Sequence, residues 1–191
     1  MLGVTVKDKQ QDMRIYHPFG PLYSENSHVL ILGSFPSVRS REQEFFYGHP
    51  QNRFWKVIAA LFADDANGKD DAVTERIRIP QTIEEKKDLI LRSGLALWDS
   101  IASCEITGSS DSSIRNAEPN DLSVITDNCD IRAIYCNGKK SLEVYNRYIR
   151  PELGREAEAL PSTSPANAAW SLERLIEAWS VIKTDLRSTA K

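Results

Sequence analysis

Residues 47–55, YGHPQNRFW, put a glycine, a proline, a histidine, an asparagine and three aromatic rings into one short run. Core segments rarely need Gly-His-Pro, and solvent loops rarely hold so many rings. The mix reads as a loop that holds a flat polar molecule, with an amphipathic helix behind it. Asn52 has two uses at such a position: a helix N-cap, or a polar group turned toward that molecule. Phe46, Tyr47 and His49 could stack a planar ring, or be two buried aromatics and a helix-capping histidine.

Three other polar stretches carry comparable chemistry. In GSFPS, Gly33 stands at a strand end, Pro36 makes a rigid corner, and Ser34 and Ser37 place hydroxyls around it. Backbone N–H groups in such a turn can hold an anion or an exocyclic carbonyl, or simply turn the chain. In LPSTSPAN, Pro161 and Pro165 stiffen a loop that offers Ser162, Thr163 and Ser164 ahead of a helix. That arrangement suits an anion such as a DNA phosphate, or capping of the helix by Ser164 or Asn167. Asp99, behind Trp98, can accept hydrogen bonds from the N–H edge of a base, or cap the next turn of the chain. Asn137, before Gly138, reads as a turn residue. Arg39, Arg41, Arg53, Lys56, Lys139 and Lys140 are scattered and read mostly as solvated surface.

These groups need elements to bring them together. Residues 29–32 form a short apolar run without alternation, the pattern of a strand buried on both faces in a parallel sheet. Phe54, Val57, Ile58, Leu61 and Phe62 follow the spacing of one helix face. Thr82 with Glu85 three residues on predicts a capping box, and Gly94 predicts that helix's end. LALWDS, IRAIYCNG and EAEAL read as three further strands. KKSLEVYNRYI, with Leu142, Tyr145 and Ile149 on one side, and AAWSLERLIEAWSVI, with Leu172, Leu175, Ile176 and Trp179, read as helices. Strands alternating with helices predict an α/β fold, a three-layer α/β/α sandwich around a central, mostly parallel four-stranded sheet. Ligands in such a fold sit beyond the carboxyl ends of the strands, where these polar stretches fall.

With 191 residues, 41% of them hydrophobic, the chain is long enough for one domain, read here as residues 14–191 after a flexible tail, 1–13. No apolar run approaches a membrane span and the first residues lack a secretory pattern, so a cytoplasmic protein is expected, nucleoid-associated if bacterial. Cys104, Cys129 and Cys136 are odd in number and widely spaced. That favours reduced thiols over a zinc or iron–sulfur site. A net charge of -3 does not advertise nucleic-acid binding, so any phosphate contact must use a local patch. The acidic stretch DDANGKDDAVTE reads as a solvated insertion.

In order and approximate spacing, LILGSFPS, YGHPQNRFW, GLALWDS and LPSTSPAN resemble the successive motifs of the uracil-DNA glycosylase superfamily. The best match is its DNA-deoxyinosine (hypoxanthine-DNA) glycosylase branch, over roughly residues 27–182. The resemblance implies a monofunctional, monomeric enzyme without metal or cofactor. It would flip a deaminated base from double- or single-stranded DNA and leave an abasic sugar. Three departures shape the reading. The water-positioning Asp or Asn of the first motif is Phe35; the bulky Tyr that walls out larger bases is Ser37; the His opening the second motif is Leu160. A polar group must then come from elsewhere, and the resemblance assigns that role to Asn52, whose carbonyl dipole would orient water at C1′. It further implies base contacts from Gly33, Ser34, Phe35, Phe46, Tyr47 and Asp99, and DNA contacts from Ser37, His49, Ser162, Thr163, Ser164 and Asn167. The alternatives are a uracil-preferring mismatch glycosylase, a nucleic-acid-binding module that has lost catalysis, and an N-glycosidase of free nucleosides.

Overall fold

The computed structural model describes residues 14–62 and 78–187; the expected tail and the acidic insertion lie outside them. Seven strands follow in chain order: β1 (Arg14–Tyr16), β2 (Val29–Gly33), β3 (Leu95–Asp99), β4 (Ile101–Glu105), β5 (Arg115–Pro119), β6 (Ala133–Asn137) and β7 (Glu158–Leu160). Four of them form the expected sheet, in the order β3-β2-β6-β7, and every pairing in it is parallel. All five residues of β2 and of β3 are buried, as unalternating apolar strands covered on both faces must be. The outer edge of β3 is closed by Leu22, whose N–H and C=O both pair with Leu97.

The second sheet was not expected. Strands β1, β4 and β5 pair antiparallel in the order β1-β4-β5. They are short and carry Arg14, Glu105, Arg115 and Glu118 among their residues, so their composition reads as loop. The two sheets meet at a single residue. The chain leaves the parallel sheet at Asp99 and enters the antiparallel one at Ile101, turning on fully buried Ser100. Ser100 N–H donates to Gly33 O at 2.8 Å and Ile101 N–H to Ser34 O at 3.1 Å. The Ser141 hydroxyl donates to Leu32 O and Gly33 O, so the Ser100 hydroxyl donates to Ser141 at 2.9 Å.

Helices cover the parallel sheet and complete the three layers. They are α1 (Val38–Gln43), α2 (Phe54–Phe62), α3 (Ile83–Arg92), α4 (Ser123–Thr126), α5 (Lys139–Val144), α6 (Arg150–Leu153), α7 (Leu172–Trp179) and α8 (Ile182–Arg187). A π-helical turn, Tyr145–Ile149, joins α5 to α6. The apolar stripe of α2 is buried as its spacing predicts, and Trp179 of α7 packs edge-on to Phe54 at 5.8 Å. Thr82 and Glu85 form the full capping box at the start of α3, and Gly94 follows its end at φ +70°.

The Thr82 hydroxyl bonds within its own turn and not to the strand ends, so its cap tests the fold by itself. Thr82→Ala is expected to cost about 1 kcal/mol and to lower the thermal midpoint by roughly 2–4 °C, read by calorimetry.

Candidate active site

The carboxyl ends of β2, β3, β6 and β7 open into one cleft, a cavity of about 110 Å³ lined by Gly33, Phe46, Tyr47, Asn52, Asp99 and Asn137 among others. Its floor is set by register. Gly33 pairs with Asp99 across the last rung of β2 and β3. A Cβ at Gly33 would lie 2.0 Å from Asp99 Oδ1 and 3.5 Å from Tyr47 Oη. Only a residue without a side chain lets that carboxylate lie over the strand end.

Asn52 sits on the opposite wall, two residues before α2. Its Oδ1 accepts from Phe54 N–H at 2.9 Å and from the Thr163 hydroxyl at 2.9 Å. The bond to Phe54 N–H is an Asx turn ahead of α2, and Arg53, not Asn52, holds the helix's N-cap position. Thr163 is in turn gripped by Asn137, whose Nδ2 donates to Thr163 Oγ1 at 2.9 Å and whose Oδ1 accepts from Thr163 N–H at 3.0 Å. The chain Asn137–Thr163–Asn52 ties the ends of β6 and β7 to the start of α2. Both lone-pair directions of the Asn52 carbonyl are taken. That corrects the expectation that the carbonyl faces the reaction: the donors fix the amide's orientation, and Nδ2 is the group without a partner among the described residues.

Asp99 is 5% exposed, and its Oδ2 is 2.8 Å from Nε2 of His17, at the end of β1. Tyr47 is held at φ +52° and stacks on Phe54 with centroids 3.8 Å apart, so one ring face is already covered. Its hydroxyl has no hydrogen-bond partner among the described residues. Burial, and then the Asp99 charge, push that phenol far above its ordinary range.

Other expected contacts fall in different roles. Phe35 packs into a small second core with Ile101, Cys104 and Val144 and also lines the cleft. Phe46 is 3% exposed and held edge-on by Phe19 and Phe45. Ser34 gives its hydroxyl to Asp111 Oδ1 at 2.8 Å, and burial raises the Asp111 carboxyl despite that bond. Ser37 caps the short helix α1 by accepting from Ser40 N–H. His49 lies outside the cleft lining, its Nδ1 accepting from Gln51 N–H.

Thr163 is fully buried, so no phosphate can reach it; its hydroxyl is internal wiring and not a DNA contact. The expected helix directly after LPSTSPAN is also corrected. That stretch forms turns, with Ser162 Oγ accepting from Ser164 N–H and Asn167 Nδ2 donating to Ser162 O. Helix α7 starts later, capped by Ser171 and by neither Ser164 nor Asn167. Ser162 rests on Gly138, which at φ +101° turns the chain out of β6 with 3.0 Å between its would-be Cβ and that of Ser162. Arg53, read as surface, gathers the loop: its guanidinium donates to the carbonyls of Thr163, Ser164, Asn167 and Trp170.

Three site residues escaped the sequence reading. Asn137 looked like a turn residue because Asn-Gly is the commonest turn dipeptide. Asp111 stands in a serine-rich stretch with no motif to mark it. His17 is 82 positions from the residue it meets.

A parallel α/β/α sandwich with polar strand ends around one cleft defines the class, and comparison with known proteins gives the family. The family model for the uracil DNA glycosylase superfamily matches residues 21–183, and the chain belongs to that superfamily. It is a DNA glycosylase. It is 32% identical over 150 residues to a protein named hypoxanthine DNA glycosylase from Methanosarcina barkeri, covering 78% of this chain and 86% of that one. A protein of the same name from Methanosarcina acetivorans is 32% identical over 165 residues, covering 86% and 95%. Among solved structures, one described as a candidate uracil DNA glycosylase from Methanosarcina acetivorans superposes with a TM-score of 0.69 at 30% identity, covering 89% of this chain and 97% of that one.

Gly33→Ala is expected to drive Asp99 from its place and slow base excision on the order of a hundredfold, while circular dichroism stays unchanged. Thr163→Val removes the central hydroxyl of the Asn137–Thr163–Asn52 chain. It should cost about 1–3 kcal/mol in urea unfolding and slow excision as well, whereas Thr163→Ser should restore both.

Proposed function

We propose that the cleft receives hypoxanthine flipped out of DNA and that Asn52 assists hydrolysis of its N-glycosidic bond. What carries the reading is the Asn52 side chain, locked at the cleft wall with only its amide N–H groups free, facing a floor formed by Asp99 over Gly33. The names of the two relatives support hypoxanthine as the base.

The lesion pairs by wobble in the duplex and opens more cheaply than a matched pair, which supplies part of the selectivity. Single-stranded DNA would need no opening, and one chain suffices for the site. The flipped purine lies against Tyr47, whose other face rests on Phe54, with its N1–H toward Asp99. The C1′–N9 bond breaks with its electron pair leaving on the base, and positive charge develops on the sugar. Asn52 Nδ2 donates to the oxygen of a water, holding one lone pair and leaving the other directed at C1′. The oxygen of that water bonds to C1′, giving the abasic hemiacetal, and the proton it loses neutralises the departing base anion. No strong base is required, because a dissociative transition state asks for placement and electrostatics. Ser162, Ser164 and Asn167 present the loop to the DNA strand, and its exposed tip, Pro165 to Ala169, reaches toward the vacated stack.

Uracil shares the ring N–H and carbonyl edge that Asp99 would read, so deoxyuridine is the natural second substrate to compare. Duplexes with a single deoxyinosine or deoxyuridine, followed by alkali cleavage of abasic sites, test the reading. The expected result is cutting at deoxyinosine that falls about a hundredfold or more in Asn52→Ala. Equal cutting by both proteins removes Asn52 from the mechanism. Stronger cutting at deoxyuridine replaces hypoxanthine with uracil.

A further inference from the structure

We propose that His17 is a positioning residue for base selection: it holds Asp99 so that one carboxylate oxygen stays available to the ring N–H of the flipped base. The inference rests on the hypoxanthine reading, and it concerns a residue outside the cleft lining.

His17 and Asp99 side chains are 4% and 7% exposed and meet through Nε2 and Oδ2 at 2.8 Å. The other ring nitrogen, Nδ1, faces Phe19 N–H at 3.4 Å and accepts from it. That leaves the ring proton on Nε2, where it is donated to Asp99. His17 cannot drift. Its own N–H donates to Ala102 O at 2.8 Å, and its ring is met edge-on by Phe19 at 4.4 Å and Phe35 at 6.1 Å. From the other side, Asn120 Nδ2 donates to Asp99 O at 2.8 Å.

Packing alone does not call for such a pair. Two apolar residues of similar volume would fill the site as well or better, because a buried carboxylate and its hydrogen-bond partner must offset the loss of their hydration. The pair makes sense if Asp99 must present a defined edge. With Oδ2 taken by His17, Oδ1 is the oxygen lying over Gly33 at the cleft floor. A fixed acceptor there attracts the N1–H of hypoxanthine and repels the N1 lone pair of adenine, the undamaged base. The small antiparallel sheet thus has a use: β1 delivers His17 to the back of a residue at the end of β3.

The test compares His17→Leu, His17→Gln, Asp99→Ala and the double variant His17→Leu/Asp99→Ala. Each is assayed on a deoxyinosine duplex for single-turnover rate and KM, and on uncleavable 2′-fluoro duplexes carrying inosine or adenosine. His17→Leu should slow excision on the order of tenfold to a hundredfold with KM changed less than about threefold, and the preference for the inosine duplex should shrink by a similar factor. His17→Gln, whose amide N–H can reach Asp99, should recover most of the rate. In the Asp99→Ala background the loss of His17 should cost nothing further. Full activity in His17→Leu, or losses that multiply in the double variant, would overturn the proposal. If His17→Leu does not fold, the comparison of His17→Gln with wild type still decides, since a Gln variant as slow as Asp99→Ala overturns it. A wild-type protein inert on deoxyinosine defeats the functional reading and not the pairing. Proton NMR of the DNA-free protein then decides: a slowly exchanging His17 Nε2–H signal that disappears in Asp99→Ala supports the pair, and a freely exchanging ring overturns it.

Discussion

The site depends on one close approach. Where β2 and β3 end side by side, the carboxylate of Asp99 occupies the volume that a side chain at Gly33 would need. A parallel sheet brings its strand ends to one edge and leaves their last polar groups looking for partners. Here Ser100, Ser141 and Asn120 satisfy the backbone around that edge, so the carboxylate can be aimed without straining the strands. The carboxylate's hydrogen-bond partner, His17, is drawn from a different sheet. One missing methyl group therefore sets the floor of the cleft, and the rest of the molecule holds its surroundings still.

The opposite wall follows a different logic. Asn52 makes an Asx turn that leads the chain into α2, yet the same oxygen is also claimed by Thr163. An amide with its carbonyl doubly bound cannot flip, and it presents its N–H groups as fixed dipoles. On the proposed reading, preorganisation of this kind would cost nothing at the moment of reaction. The stiffness comes from Asn137, and so from β6, the strand that pairs with both β2 and β7.

Much of the architecture was legible in the sequence because its signals are local. The apolar run of β2, the face of α2, the Thr82–Glu85 box and the stop at Gly94 each concern neighbours within a few residues. The antiparallel sheet was not legible, because its strands are three to five residues long and half polar. Within the site, the residue types at the strand ends pointed to the cleft, but their partners could not be read. Asn52, Thr163 and Asn137 form one chain only when three segments meet. Thr163 resembled its neighbours Ser162 and Ser164 in sequence and differs from them in being sealed inside. His17 stands before Pro18 and Gly20, with no local pattern to mark it as a partner of Asp99.

Arg53 holds the 163–170 turn by its main-chain carbonyls, with no carboxylate opposite it among the described residues. Every residue type offers the same carbonyl, so the path of that loop is largely independent of the side chains along it. Evolution can therefore vary the exposed tip residues while the loop's trajectory is inherited from a single arginine next to Asn52. Lineages would drift at 165, 166, 168 and 169 and stay constrained at 53, a separation between what the loop says and how it is held.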